Sequence, residues 1–403
     1  MAYASFILSA FIFIFLSLNY ISNAETDTLR QGEQLRDWEQ LISAGGVFKL
    51  GFFNPNPGYS PDLGPSGPRH LGIWFNQIPY YSVWVANRQN PVPDSSGALT
   101  IDKDGKLKIT FQQGGLIVIN PDMAEKNISG GNFTVTLLDS GNLVVRQVNS
   151  DGFTGSVIWQ SFDYPHNIFL PGMKLGMNLK TGKNWTLTSW LSEKNPSPGA
   201  FRLGLDPNGA NQLIIWRRDS RYWSSGVWVN GSFELAPQLT KRNDIYDFRF
   251  FENEDEKYFS YSVKNKSVLS RWSFDTIGEI EVFTLDKRGD YSTWIFESVG
   301  PCQNGFNSSA VCLTEKPNKC RNDLDVFVPK RAYVENDERF FYYDSDLSLG
   351  VSDCHAKCWG NCTCIAYQSS SRDGTGCQYW SKGSKFTPDD NADFVYLLSH
   401  QGK

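Results

Sequence analysis

The sequence predicts a mostly β protein that ends in a small, disulfide-stapled α+β module. Three observations carry that expectation. From residue 25 to about residue 300, short apolar or alternating runs recur between turn residues, with no convincing long amphipathic helix. All eight cysteines of the 403-residue chain lie after Gly300. Aromatic residues make up 14%, with 13 tryptophans among them, enough to fill several sheet faces.

The N-terminus reads MAYASFILSAFIFIFLSLNYISNAETD. Its apolar run from Phe6 to Leu18 has the length of a signal-peptide core and is short for a membrane span. Ser22 and Ala24 supply small residues ahead of a cut before Glu25, so residues 1–24 read as a signal peptide. A basic flank is missing, and an uncleaved anchor is the alternative. No later stretch is long and apolar enough to span a bilayer, and the sequence stops at SHQGK. The expected mature product is soluble and secreted.

The first strand-like series is VFKLGFF, HLGIWF, SVWVANR, ALTIDKDGKLKIT, GLIVIN, FTVTLLDSGNLVVRQ and SVIWQSF. DKDG and DSGN are the expected hairpin turns. GVFKL (46–50), GKLKI (105–109) and GNLVV (141–145) repeat a glycine before alternating apolar residues, which suggests a pseudo-symmetric β-prism or barrel. EKNPSPGAF (193–201) reads as a turn or linker. A second β series follows from FRLGL to YSTWIF, and its alternating Trp and Tyr are expected to fill sheet faces rather than stack on sugars.

After Gly300, CHAKCWGNCTCIAYQSSSRDGTGCQYW (354–380) holds five of the eight cysteines. Metal ligands, a redox centre and disulfides all need testing. The C-x3-C-x3-C-x-C run fits no common zinc pattern, and a thioredoxin-like C-x-x-C is absent. An even cysteine count behind an export signal points to disulfides. Ser352 or Asp353 is expected to cap a helix over CHAKCW, with Cys354 and Cys358 on one face. Cys362 and Cys364 would share a face of the following strand, CTCIAYQ.

Sequons agree with export: Asn127, Asn132, Asn184, Asn230, Asn265, Asn307 and Asn361 each begin N-x-S/T without an intervening proline. A net charge of −5 argues against a nucleic-acid partner. No H-E-x-x-H, G-x-S-x-G or kinase H-R-D, D-F-G or V-A-I-K motif occurs. Asp102 and Asp104 resemble the start of a calcium loop whose other ligands are missing. No catalytic residue, metal or cofactor is expected.

SVWVANRQNPV, LLDSGNLVV, WQSFDYPHNIFLPGMKLG and CHAKCWGNCTCIAY...GTGCQYW, in that order, resemble the extracellular region of plant S-domain (G-type lectin) receptor-like kinases and secreted S-locus glycoproteins. The resemblance implies a bulb-type lectin β-prism over 25–148 and a β-rich S-locus glycoprotein domain over 155–300. It also implies a cysteine-containing connector, an EGF-like remnant, over 301–319 and a PAN/apple domain over 320–403. It further implies disulfides Cys354–Cys377 and Cys358–Cys364. If every cysteine pairs, one bridge must join Cys362 to one of Cys302, Cys312 and Cys320, and the expected choice is Cys320–Cys362 with Cys302–Cys312. The implied location is the apoplast or cell wall.

Bulb-type lectins hold mannose with Q-x-D-x-N-x-V-x-Y. Laid on 138–146, that motif is matched only by Asn142 and Val144. Laid on 102–110, it is matched only by Asp104, and the segment at 43–51 matches nowhere. Asp104, Asn142 and Val144 are thus a degenerate sugar site, with Asp104 and Asn142 read as turn residues. The resulting expectation is a secreted, non-catalytic recognition glycoprotein. Its partner would be a receptor kinase ectodomain, another extracellular glycoprotein or a glycan, in a homo- or hetero-oligomer. A functional mannose-type lectin is the alternative, and a secreted glycan-active enzyme the remote one.

Overall fold

Among the described residues, the computed structural model comprises two successive triads of four-stranded antiparallel sheets, a two-stranded ribbon of Trp228–Val229 and Ser232–Phe233, and a six-stranded sheet with one α-helix. It describes residues 26–55, 67–78, 82–126, 131–149, 153–288, 291–299, 320–322, 324–335 and 339–400. Residues 1–24, Asn127, Cys302, Asn307 and Cys312 lie outside the described residues.

In the first triad three short strands, Thr28–Arg30, Gln34–Arg36 and Leu41–Ile42, each enter a different sheet. Sheet III is then completed by Phe48–Phe53, His70–Phe75 and Ser82–Val85. Sheet II takes Ala98–Ile101, Leu107–Phe111 and Gly115–Val118. Sheet I takes Asn132–Leu137, Leu143–Val148 and Thr154–Gln160. The sheets are entered in the order I, II, III and finished in reverse. This nesting makes a β-prism, and period-two patterning turns alternate side chains inward. In sheet II, Leu99, Ile101, Leu107 and Ile109 are buried while Thr100 and Lys108 face outward.

The second triad repeats the nesting. Ile168–Phe169 enters sheet IV, Leu175–Asn178 and Asn184–Trp185 enter sheet V, and Leu187–Ser192 enters sheet VI. Sheet VI is completed first, by Asn195–Leu205, Leu213–Arg217 and Ser220–Ser224. Sheet V follows with Tyr246–Glu252 and Glu256–Val263, then sheet IV with Ser270–Phe274, Ile280–Arg288 and Tyr291–Val299. One apolar core runs without interruption from Leu29 to Val282 through both triads. Trp223, Trp272, Tyr246 and Tyr261 are at most 1% exposed, so these rings fill sheet faces as the alternation implied.

Three local expectations are corrected. The segment read as a turn or linker, 193–201, enters the 11-residue strand Asn195–Leu205, because Pro196 and Pro198 fall where the strand's pairing is irregular. GVFKL leads into the second strand of its sheet, whereas GKLKI and GNLVV lead into third strands; the matching third strand in sheet III is His70–Phe75. Cys362 and Cys364 do not share a strand face: the strand begins at Cys364, which is fully buried, and Cys362 is exposed ahead of it.

In the C-terminal module the sheet order is Phe341–Asp344, Cys377–Ser381, Cys364–Ser369, Phe394–His400, Asp325–Val334, Phe386–Pro388. Helix α1, Val351–Gly360, starts earlier than the CHAKCW reading, with Gly350 at its N-cap. Asp353 acts from inside the first turn, its Oδ2 accepting from the Gly350 N–H at 3.0 Å. Cys354–Cys377 and Cys358–Cys364 rivet the helix to two strands, and Cys320–Cys362 closes the entry to the module. Each such loop stabilises by about 2–4 kcal/mol. Arg321 secures the other end of the helix, its Nη2 donating to the carbonyls of Cys358 (3.1 Å), Asn361 (2.9 Å) and Cys364 (2.7 Å). A cation there offsets the partial negative charge of a helix C-terminus.

Candidate functional site

The three third strands of the first prism are aligned by one repeated hydrogen bond. The amides of Leu71, Leu107 and Leu143 donate to Asn87 Oδ1 (2.8 Å), Asn120 Oδ1 (2.7 Å) and Ser161 Oγ (2.9 Å). Each acceptor is buried just beyond the last strand of its sheet. In the second prism Leu213 N–H makes the same latch, donating to Ser225 Oγ at 2.8 Å. Sequence reading missed these residues because the intervals from strand to latch differ between sheets.

That alignment sets the register of the sugar motif. Its structurally equivalent positions are 68–74, 104–110 and 140–146, so the comparison at 43–51 falls on the wrong strand. In the sheet I copy, Asn142 is 7% exposed and both polar atoms of its amide are engaged. Nδ2 donates to Gln160 Oε1 at 2.9 Å, while Oδ1 accepts from Ser161 Oγ and from Phe162 N–H, both at 3.2 Å. Val144 is 1% exposed and cannot pack on a sugar ring. Arg146, at the tyrosine position, donates to Gly155 O at 3.3 Å.

In sheet II, Asp104 sits in the hairpin turn, and its backbone N–H donates to Asp102 Oδ1 at 2.9 Å. Asp102 also accepts from Lys106 N–H at 2.9 Å and pairs with Lys108. Lys106 and Lys108 stand where the motif has Asn and Val. In sheet III, Pro68, His70, Gly72 and Trp74 occupy the Asp, Asn, Val and Tyr positions. His70 is buried beside the Asn87 carbonyl, and burial pushes its pKa down to about 4. A Cβ on Gly72 would lie 2.5 Å from the Phe53 ring. No copy offers the set of free amide, carboxylate and phenol that grips sugar hydroxyls.

The motifs SVWVANR and WQSFDYPH meet at the seam between the prisms. Trp84 Nε1 donates to Tyr164 O at 3.0 Å, and its ring stacks on His166 with centroids 5.6 Å apart. Val85 N–H donates to His166 Nδ1 at 3.0 Å, which requires a neutral ring; burial holds that pKa well below the ordinary value, with Arg88 adding to the effect. Arg88 is buried against sheet VI, donating to the carbonyls of Pro196, Thr188 and Ser189. Burial pushes its pKa down to about 9.

Of the sequon asparagines, Asn132, Asn184, Asn230 and Asn265 are exposed. Asn361 is engaged at the end of α1, donating to Tyr342 OH at 3.2 Å and accepting from Thr363 N–H at 3.0 Å. Among the described residues no group of three or more His, Cys, Asp or Glu is arranged to hold a metal ion. No helix among them is long and apolar enough to cross a membrane.

Fold and site together define a lectin-like β-prism protein carrying a disulfide-stapled C-terminal module. The D-mannose binding lectin family matches residues 82–191, the S-locus glycoprotein domain residues 223–331, and the PAN-like domain residues 320–384. The G-type lectin S-receptor-like serine/threonine-protein kinase CES101 of Arabidopsis thaliana is 35% identical over 395 residues, covering 89% of this chain and 44% of that relative. A second G-type lectin S-receptor-like kinase of the same plant is 37% identical over 390 residues, covering 95% and 44%. A monomeric mannose-binding lectin from Gastrodia elata aligns with 34% of this chain and 96% of its own, at 19% identity and a TM-score of 0.24. The chain therefore combines the lectin, S-locus glycoprotein and PAN-like domains of the plant S-domain family. It spans about half the length of the curated relatives it matches. The three matched domains are non-catalytic, and none is a kinase domain.

Proposed function

We propose that this chain is a secreted, non-catalytic recognition glycoprotein that docks a protein partner, such as a receptor kinase ectodomain, in the apoplast or cell wall. The carrying observation is the state of Asn142: the one motif amide retained in sheet I is consumed by Gln160, Ser161 and Phe162. A site built to bond hydroxyls loses affinity steeply when its polar groups are missing. Single lectin sites start near millimolar, about −4 kcal/mol, and leave no margin for such a loss. The signal-like segment 1–24 and the exposed sequon asparagines support export and glycosylation. The lectin module extends past the 25–148 division to Gln160, because Thr154–Gln160 is the last strand of sheet I, and all eight cysteines are paired in the mature form.

Titration with methyl α-mannoside, alongside surface plasmon resonance against receptor kinase ectodomains, tests this reading. The expected result is no saturable mannoside binding up to millimolar sugar and saturable binding to at least one ectodomain. Saturable mannoside binding with silence on every ectodomain would overturn it. The second reading, a functional mannose-type lectin, is favoured by the D-mannose binding lectin match over 82–191.

A further inference from the structure

The three disulfides of the C-terminal module differ sharply in access. Cys354, Cys377, Cys358 and Cys364 are all 0% exposed, packed with Leu349, Tyr367 and Tyr379 in a small core. Cys320 and Cys362 are both exposed. Thiol–disulfide exchange needs a thiolate to reach a sulfur, so access separates the bridges by rate.

We propose that the Cys320–Cys362 bridge is a thiol-exchange site, opened by a small thiol such as glutathione while the two buried bridges stay closed. The incoming thiolate attacks one sulfur, the S–S bond breaks, and the other cysteine leaves as a thiolate and takes up a proton. A second thiol then attacks the mixed disulfide and releases the reagent's own disulfide. Two electrons and two protons have passed to the protein, and two reagent thiols have been oxidised to one disulfide. Arg321 follows Cys320 in the chain, and its guanidinium bonds to the carbonyl of Asn361, the residue before Cys362. Its bonds to the carbonyls of Cys358, Asn361 and Cys364 do not involve the bridge and hold the segment in place after opening.

The test exposes the purified full chain to graded reduced glutathione under native conditions, quenches with iodoacetamide, and maps the labelled peptides. Cys320 and Cys362 are expected to label at least tenfold faster than Cys354, Cys358, Cys364 and Cys377, with an unchanged circular dichroism spectrum. The Cys320→Ser, Cys362→Ser double variant is expected to keep the slow rate at the four buried positions. Equal labelling rates for the three bridges, or resistance of Cys320 and Cys362 until the protein is denatured, would overturn the proposal. So would accelerated labelling of the buried four in the double variant, which would show that the exposed bridge supports the fold rather than serving as a separable exchange site.

Discussion

Arg218 and Asp353 meet in a two-pronged ion pair across the junction between sheet VI and the C-terminal module. Nε donates to Oδ1 at 3.0 Å and Nη2 to Oδ2 at 2.6 Å. Arg218 sits in the hairpin turn of Leu213–Arg217 and Ser220–Ser224 with φ +51°, and also donates to Ser348 O at 3.1 Å. The same Asp353 carboxylate starts α1, so one side chain couples helix initiation to module docking. Nearby, Arg217 donates to Ser352 O at 3.0 Å, and Asn195 Nδ2 to Asp373 Oδ2 at 3.1 Å.

Asp353→Ala removes the helix-start acceptor and the partner of Arg218 together. A loss of about 2–3 kcal/mol is expected, with contributions from a cap and a charged hydrogen bond. Arg218→Ala should cost less, because Arg218 is part-exposed and water replaces its contacts. Chemical denaturation of both variants checks the order; a larger loss for Arg218→Ala would contradict it.

Gly350 has no room for a side chain, since a Cβ there would lie 2.3 Å from the Leu191 carbonyl oxygen. Gly350→Ala must push the C-terminal module off sheet VI. Faster proteolysis at the junction is expected, with the disulfide pattern of the module intact. Limited digestion of the two proteins side by side reads this directly.

Asn142→Ala separates a structural amide from a sugar ligand. The substitution leaves the Phe162 amide and Gln160 without their partner, and a stability loss of about 1–3 kcal/mol is expected. Thermal denaturation should register that loss while the mannoside titration stays flat. An unchanged melting temperature would show that the amide is not part of the fold's framework.

Asp275 sets a pH dependence whose sign can be worked out. Burial is the main cause that pushes its carboxyl up to about 7, against an ordinary value of 3.8. The folded state therefore binds more protons than the unfolded chain between those values, and stability from this group falls as pH rises through that window. His70 and His355, both pushed by burial to about 4, act in the opposite direction and lose stability as pH falls from 6.5. Asp275→Asn keeps an acceptor for the amides of Ile277 and Glu279, so it should gain about 1–2 kcal/mol at pH 7.5 and almost nothing at pH 4. Urea denaturation at the two pH values decides this; equal gains at both would remove Asp275 from the account.

The strand series was legible because alternation survives any tertiary arrangement. Inward and outward positions along Ala98–Ile101 and Leu107–Phe111 can be read one residue at a time. The helix carrying Cys354 and Cys358 was legible for a similar reason, since an i, i+4 spacing fixes a shared face locally. The roles of Asn87, Asn120 and Ser161 were not legible: each accepts a hydrogen bond from a residue 13 to 18 positions upstream, and nothing in the local pattern marks the partner. The strand through Pro196 and Pro198 was read as a linker because its irregular pairing to Leu187–Ser192 can be seen only with both strands in place.

By itself the sequence determined a β-rich chain with cysteines confined to its tail and a mannose motif reduced to three matching positions. Those features follow from residue identity and periodicity, which are local. Only the tertiary structure decided that the motifs carrying the family likeness, SVWVANR and WQSFDYPH, bind two prisms together through Trp84, His166 and Arg88. Only the tertiary structure placed Asn142 where Gln160, Ser161 and Phe162 engage both polar atoms of its amide. Burial and hydrogen-bond saturation belong to residues far apart in the chain, so no reading along a single strand contains them.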